Sequence, residues 1–121
     1  MNKQVVTIRD IISGEILASA EKQVGVRLFE GTWYFDPAGV HMEYLVITDR
    51  TYTCSYKGTC YWIDLVTPSH QRQNVAFTYF QVHNGYEFIK DKIGFYAGQR
   101  EATIEEQENH SEPVATKSWQ G

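Results

Sequence analysis

Residues 49–62 bring together side chains able to hold a charged ligand. Arg50 and Lys57 supply positive charge, Thr51, Thr53, Ser55 and Tyr56 supply hydroxyls, and Gly58 lets the backbone approach a bound group closely. That set fits an anion. Tyr34, Trp62, Tyr79 and Tyr96 add rings against which a planar ligand can stack. The ligand-binding residues read from the sequence are therefore Arg50, Tyr56, Lys57, Gly58, Tyr34 and Tyr79. The plain alternative is an ordinary β-turn with a solvated lysine and aromatics that are simply core, and core is the better reading for Trp62 and Phe95. Two cations on one concavity repel each other unless an anion or an acid lies between them. Asp49 or Glu30 would be such an acid.

Other chemistries find less support. Structural zinc needs four nitrogen or sulfur ligands in tetrahedral array. The chain has two cysteines, Cys54 and Cys60, and four scattered histidines, His41, His70, His83 and His110, with no ligand spacing among them. No metal and no cofactor are expected. Cys54 as a nucleophile would need a base such as His41 or His83 beside it, and nothing in the sequence places one. Glu43, Asp49 and Asp64 are acids for two-metal nucleotidyl transfer, but they form no close pair. Glycine loops that cradle phosphates are absent from the sequence.

The elements that must position these residues read as strands. Residues 5–10 alternate as a half-exposed strand does, Ser13-Gly14 marks a turn, and residues 15–19 return. Strands follow at 24–30 and 32–35, the latter stopped by Asp36-Pro37. Residues 37–49 read as irregular, since they fit one or two short helical turns and equally an extended crossover. Residues 52–66 form a hairpin turning through Ser55-Tyr56-Lys57-Gly58, with positive φ expected at Gly58. Further strands fall at 74–80 and 92–97, a helical turn at 87–91 and an edge strand at 102–104. Many short strands at this spacing argue for an antiparallel sandwich or open barrel.

Charge is uneven along the chain. Residues 1–100 carry ten Lys/Arg and ten Asp/Glu, whereas residues 101–121 carry five glutamates against Lys117. A neutral body with an acidic end is a poor match for a nucleic-acid polymer. No apolar run approaches the roughly 20 residues of a membrane span, and the N-terminus lacks a secretory pattern. A soluble, cytoplasmic protein with free thiols is expected. One β domain over residues 1–105 and a disordered acidic tail over residues 106–121 follow from composition.

The hairpin is also recognisable. Thr53-Cys54-Ser55-Tyr56-Lys57-Gly58-Thr59-Cys60-Tyr61-Trp62 resembles the Cys-Pro-Tyr-Lys-Gly-x-x-x-Tyr-Trp signature of domain-of-unknown-function family 427, also filed as a nucleotidyltransferase-like domain. Tyr34-Phe35-Asp36-Pro37, Asn74-Val75-Ala76-Phe77-Thr78-Tyr79 and Ile89-Lys90-Asp91-Lys92-Ile93-Gly94-Phe95-Tyr96 are similar to further stretches of that family in order and spacing. The resemblance implies a mainly β fold, a small β-tent (Mss4-like) two-sheet antiparallel domain with short helical turns. It implies no established activity. Ser55 stands where the motif has Pro, Phe77 where it has Trp, and no Pro follows Tyr79.

Three functions are carried forward. The first is binding of an anionic or nucleotide-like ligand, or of a protein partner, through the hairpin face. The second is a nucleotidyltransferase-type enzyme using Asp49, Lys57 and Asp64. The third is a protein-interaction module whose acidic tail meets a basic partner.

Overall fold

The computed structural model describes residues 2–111. Nine strands form two antiparallel sheets. The smaller has the order β2-β1-β9, from Ile16–Glu21, Asn2–Asp10 and Thr103–Ser111. The larger has the order β3-β4-β8-β7-β6-β5. Its strands are Val26–Phe29 (β3), Thr32–Phe35 (β4), Ile93–Tyr96 (β8), Gln71–Val82 (β7), Gly58–Val66 (β6) and Leu45–Cys54 (β5). The helical content described is three single 3₁₀ turns, at Pro37–Gly39, Met42–Tyr44 and Glu87–Ile89. This is the mainly β, two-sheet antiparallel domain with short helical turns that the sequence predicts.

Strand periodicity sorts the large sheet into two faces. The inner face supplies Val26, Trp33, Phe35, Ile63, Ile93 and Phe95, which pack with Val6 and Ile8 of β1 and Leu17 and Ala18 of β2 into the main core. The outer face carries a second cluster, Tyr34, Cys60, Phe77, Tyr79 and Ile89. The sheet is thus apolar on both sides, which explains why its strands read as near-continuous aromatic and β-branched runs.

Two boundaries differ from expectation by more than three residues. Residues 45–49 belong to β5 rather than to an irregular crossover, because Leu45 pairs with Leu65 and Ile47 with Ile63. The expected edge strand at 102–104 is the start of β9, which pairs with β1 from Asp10↔Thr103 to Asn2↔Ser111. Residues 106–111, expected to begin the tail, are therefore part of the small sheet. A backbone ladder needs no apolar side chains, so polar composition did not reveal it. The rest of the expected tail, residues 112–121, lies outside the described residues. Among the described residues no helix is long and apolar enough to cross a membrane.

Candidate functional site

Register defines the outer face residue by residue. Arg27 lies opposite Tyr34, Tyr34 opposite Gly94, Gly94 opposite Phe77, and Phe77 opposite Trp62. These five form one row across β3, β4, β8, β7 and β6. A second row joins Tyr52, Cys60 and Tyr79. Gly94 is the hinge of the packing, since a Cβ there would stand 2.9 Å from the Phe77 ring. With that position empty, Phe77 lies down over β8 and meets four other rings edge-on or tilted. Tyr34 is 6.1 Å away between ring centroids, Trp62 5.8 Å, Tyr79 6.2 Å and Tyr96 5.3 Å.

The six residues read from the sequence separate in the structure. Tyr34 and Tyr79 both sit in the outer cluster, each 3% exposed. Lys57 reaches the same side. Its Nζ lies 2.8 Å from Glu30 and 5.9 Å from the centroid of the Phe29 ring, which packs on that cluster. Arg50 lies farther back along β5 and pairs with Asp64, while its Nη2 also donates to Asn74 Oδ1 at 3.0 Å. Four extended residues from Arg50 to Cys54 span about 13 Å, so this pair lies well back from the turn along the hairpin. Tyr56 is 72% exposed, and its carbonyl lies 3.0 Å from His83 Nδ1. Gly58 has the expected positive φ, 127°. The neighbour occupying its side-chain space is the Gln81 carbonyl of β7, 2.8 Å from an added Cβ. Gly58 also lines a 400 Å³ hollow with Thr53, Thr59, Tyr61, Phe80 and His83. The structural alternative thus applies to both cations, with Glu30 answering Lys57 and Asp64 answering Arg50.

The electrostatics of the outer face follow from burial. Burial raises the Tyr34 hydroxyl far above its usual range, and the Glu30 charge and the Cys60 thiol add to the effect. Burial raises Tyr79 likewise, with Cys60 and Tyr34 contributing, and it also raises Tyr96. All three hydroxyls stay protonated, so they are neutral and able to donate. The two thiols move in opposite directions. Backbone N–H groups of Lys57 and Tyr56 lower Cys54, whereas burial raises Cys60. Lys57 keeps its charge: burial opposes it, but Glu30 outweighs burial.

Two hollows border the aromatic face. One, of 410 Å³, has Tyr34 as a wall together with Arg27, Asp36, Phe88, Lys90 and Lys92. Arg27 stacks over Phe88 at 4.5 Å, and Lys92 Nζ is 2.5 Å from Asp36. The other, of 270 Å³, has Tyr96 as a wall together with Arg72, Asn74, Arg100 and Glu101. The sequence reading did not include Arg27, Arg72, Arg100 or Gly94 in the site. They come from four different strands and loops, and only the pairing of those elements places them beside the tyrosines. Among the described residues no group of three or more His, Cys, Asp or Glu converges as metal ligands would.

The model of a family described as a domain of unknown function, DUF427, matches residues 2–106. No curated protein matches the chain.

Proposed function

This chain belongs to the DUF427 family, whose description assigns no reaction, and from the outer face of its large sheet we propose that it binds a small planar ligand bearing an anionic group. The observation that carries this reading is Tyr96, 38% exposed, which packs on Phe77 of the cross-strand row and forms a wall of the 270 Å³ hollow. The exposed part of the Tyr96 ring can stack on a planar group and its protonated hydroxyl can donate to an acceptor, while Tyr34, Phe77 and Tyr79 are buried and support that ring from beneath. Lys57 stands at the rim with its charge balanced by Glu30, so its contribution is positional rather than a free positive field.

The nucleotidyl-transfer alternative has weaker support. Asp64 accepts from Arg50 and from the Asn74 N–H at 3.0 Å, and Lys57 is paired with Glu30. A thermal-shift panel of nucleosides and nucleotides, with and without magnesium, separates the readings. Ligand at 100 times its Kd stabilises by about 2.7 kcal/mol. Stabilisation without magnesium, lost in Tyr96→Ala, is the expected result. Stabilisation that requires magnesium and survives Tyr96→Ala would favour the transferase reading. A flat response across the panel at millimolar concentration would remove the ligand-binding reading.

A further inference from the structure

The binding face has aromatic surface but needs a group to receive the anion, and the two hairpin cations are already paired with acids. We infer that Arg72 and Arg100, in the 270 Å³ hollow beside Tyr96, form the receptor for a phosphate-type oxyanion carried by the ligand. The inference rests on the ligand-binding reading above and adds where the charge goes.

Four observations support it. Arg100 lies over the Tyr96 ring, its guanidinium carbon 4.9 Å from the ring centroid, so a cation–π contact holds it at the wall of the hollow. Arg72 Nη2 donates to the Glu101 carbonyl at 3.1 Å, which fixes that side chain while leaving other donors of its fork available. Neither arginine forms an ion pair among the described residues, and the one carboxylate in the lining, Glu101, pairs with neither. Tyr96 joins the hollow to the aromatic face, with its ring 5.3 Å from Phe77. A ligand whose planar part rests on Tyr96 would thereby present its anion to two guanidinium groups that form no ion pair among the described residues. Arginine forks match phosphate oxygens bidentately, and the ring beneath Arg100 keeps the fork pre-oriented. The 410 Å³ hollow is the weaker receptor, because Asp36 and Glu87 line it alongside Arg27, Lys90 and Lys92.

Isothermal titration of the full chain with pyrophosphate, AMP and adenosine tests this. AMP should bind more tightly than adenosine, and added salt should weaken AMP but not adenosine. Arg72→Gln and Arg100→Gln should each weaken AMP about tenfold, a change of about 1.4 kcal/mol, with melting temperature unchanged. Lys90→Gln, an exposed position in the 410 Å³ hollow, should leave AMP binding as it is. Equal affinity for AMP and adenosine would overturn the arginine assignment and leave the aromatic reading standing. Loss of AMP binding in Lys90→Gln alone would overturn it in favour of the other hollow. Failure of both pyrophosphate and AMP to bind at millimolar concentration would also overturn it, and adenosine would then decide the fate of the aromatic reading.

Discussion

At the scale of single residues, the Asp10 carboxylate shows how much of this fold depends on polar groups that composition hides. Its side chain is shut away from water, and the Ile12 N–H at 3.2 Å, the Ser13 hydroxyl at 2.6 Å and His70 Nε2 at 2.9 Å meet it. Because His70 lies between β6 and β7 while Asp10 ends β1, this contact ties one sheet to the other. Burial pushes the Asp10 acid up, but Ser13, Ile12 and His70 together outweigh it, so its folded pKa falls below the ordinary 3.8. A lowered carboxyl pKa stabilises fully above the unfolded value, and the gain fades as pH falls through the folded value. Asp10→Asn should therefore cost roughly 2 kcal/mol at neutral pH and much less in strong acid, where the wild type has lost the same advantage. Urea melts at falling pH from 7 check this, and a cost that does not shrink as the carboxyl protonates would contradict it. The cysteines give a second residue-scale expectation. Thiolate is the reactive form, so Cys54, lowered by two N–H donors, should alkylate with iodoacetamide well before Cys60, which burial raises. Peptide mapping after partial labelling would show which reacts first. Equal labelling would mean that the turn does not hold the Cys54 sulfur as described. Neither behaviour is readable from residue type, since Asp10 looks like a hairpin-end acid and the two cysteines look alike.

At the scale of elements, the hairpin of β5 and β6 was legible because its determinants are local. Its turn residues, its alternation and the positive φ of Gly58 lie within a few positions of one another. The partners of its charged residues are remote. Glu30 is 27 residues from Lys57, and Asp64 reaches Arg50 only through the register of β5 on β6. For that reason Tyr34 and Tyr79 meet in one buried cluster, while Arg50 lies back along β5 beside Asp64 and Tyr56 faces solvent. Gly58 shows the same division. Its sequence predicts flexibility for a ligand, yet an added Cβ would strike the Gln81 carbonyl of the neighbouring strand at 2.8 Å. Gly58→Ala combines positive φ with a backbone collision, so it should destabilise by about 1–3 kcal/mol. Thermal melts would register this directly, and a neutral result would mean that β6 and β7 separate at the turn without cost. Gly94→Ala should act differently. Its φ is not in the left-handed region, and the collision is with the Phe77 ring. That ring would be pushed off β8, altering the outer face itself, with changes in Trp62 fluorescence as the readout.

At the scale of the whole molecule, the small sheet closes the chain by pairing its first strand with the last one described. β1 is the middle strand of that sheet, and its Val6 and Ile8 are fully buried in the main core. β9 guards its open edge over nine paired positions. Side-chain contacts reinforce the ladder. Arg9 Nε lies 2.9 Å from Glu106, and the Gly98 N–H donates to Glu105 at 2.7 Å. The glutamates that read as a solvated tail are thus in part the polar outer positions of an edge strand, where charge also discourages edge-to-edge association. No window of sequence contains both partners, because residues 2–10 and 103–111 lie about a hundred positions apart. Composition therefore favoured disorder, whereas a single long-range pairing decided order. A chain ending at Ile104 loses seven of the nine pairs with β1. Net worth of about 0.5–1.5 kcal/mol per backbone hydrogen bond makes the expected loss at least about 3 kcal/mol relative to a chain ending at Ser111. The shortened chain should also associate through the exposed side of β1, because an unpaired strand edge is a template for another. Denaturant melts and sedimentation of the two truncations compare these directly. Equal stability and a monomer in both would mean that β9 rests on the domain without holding it, and that the small sheet stands on the β1–β2 hairpin alone.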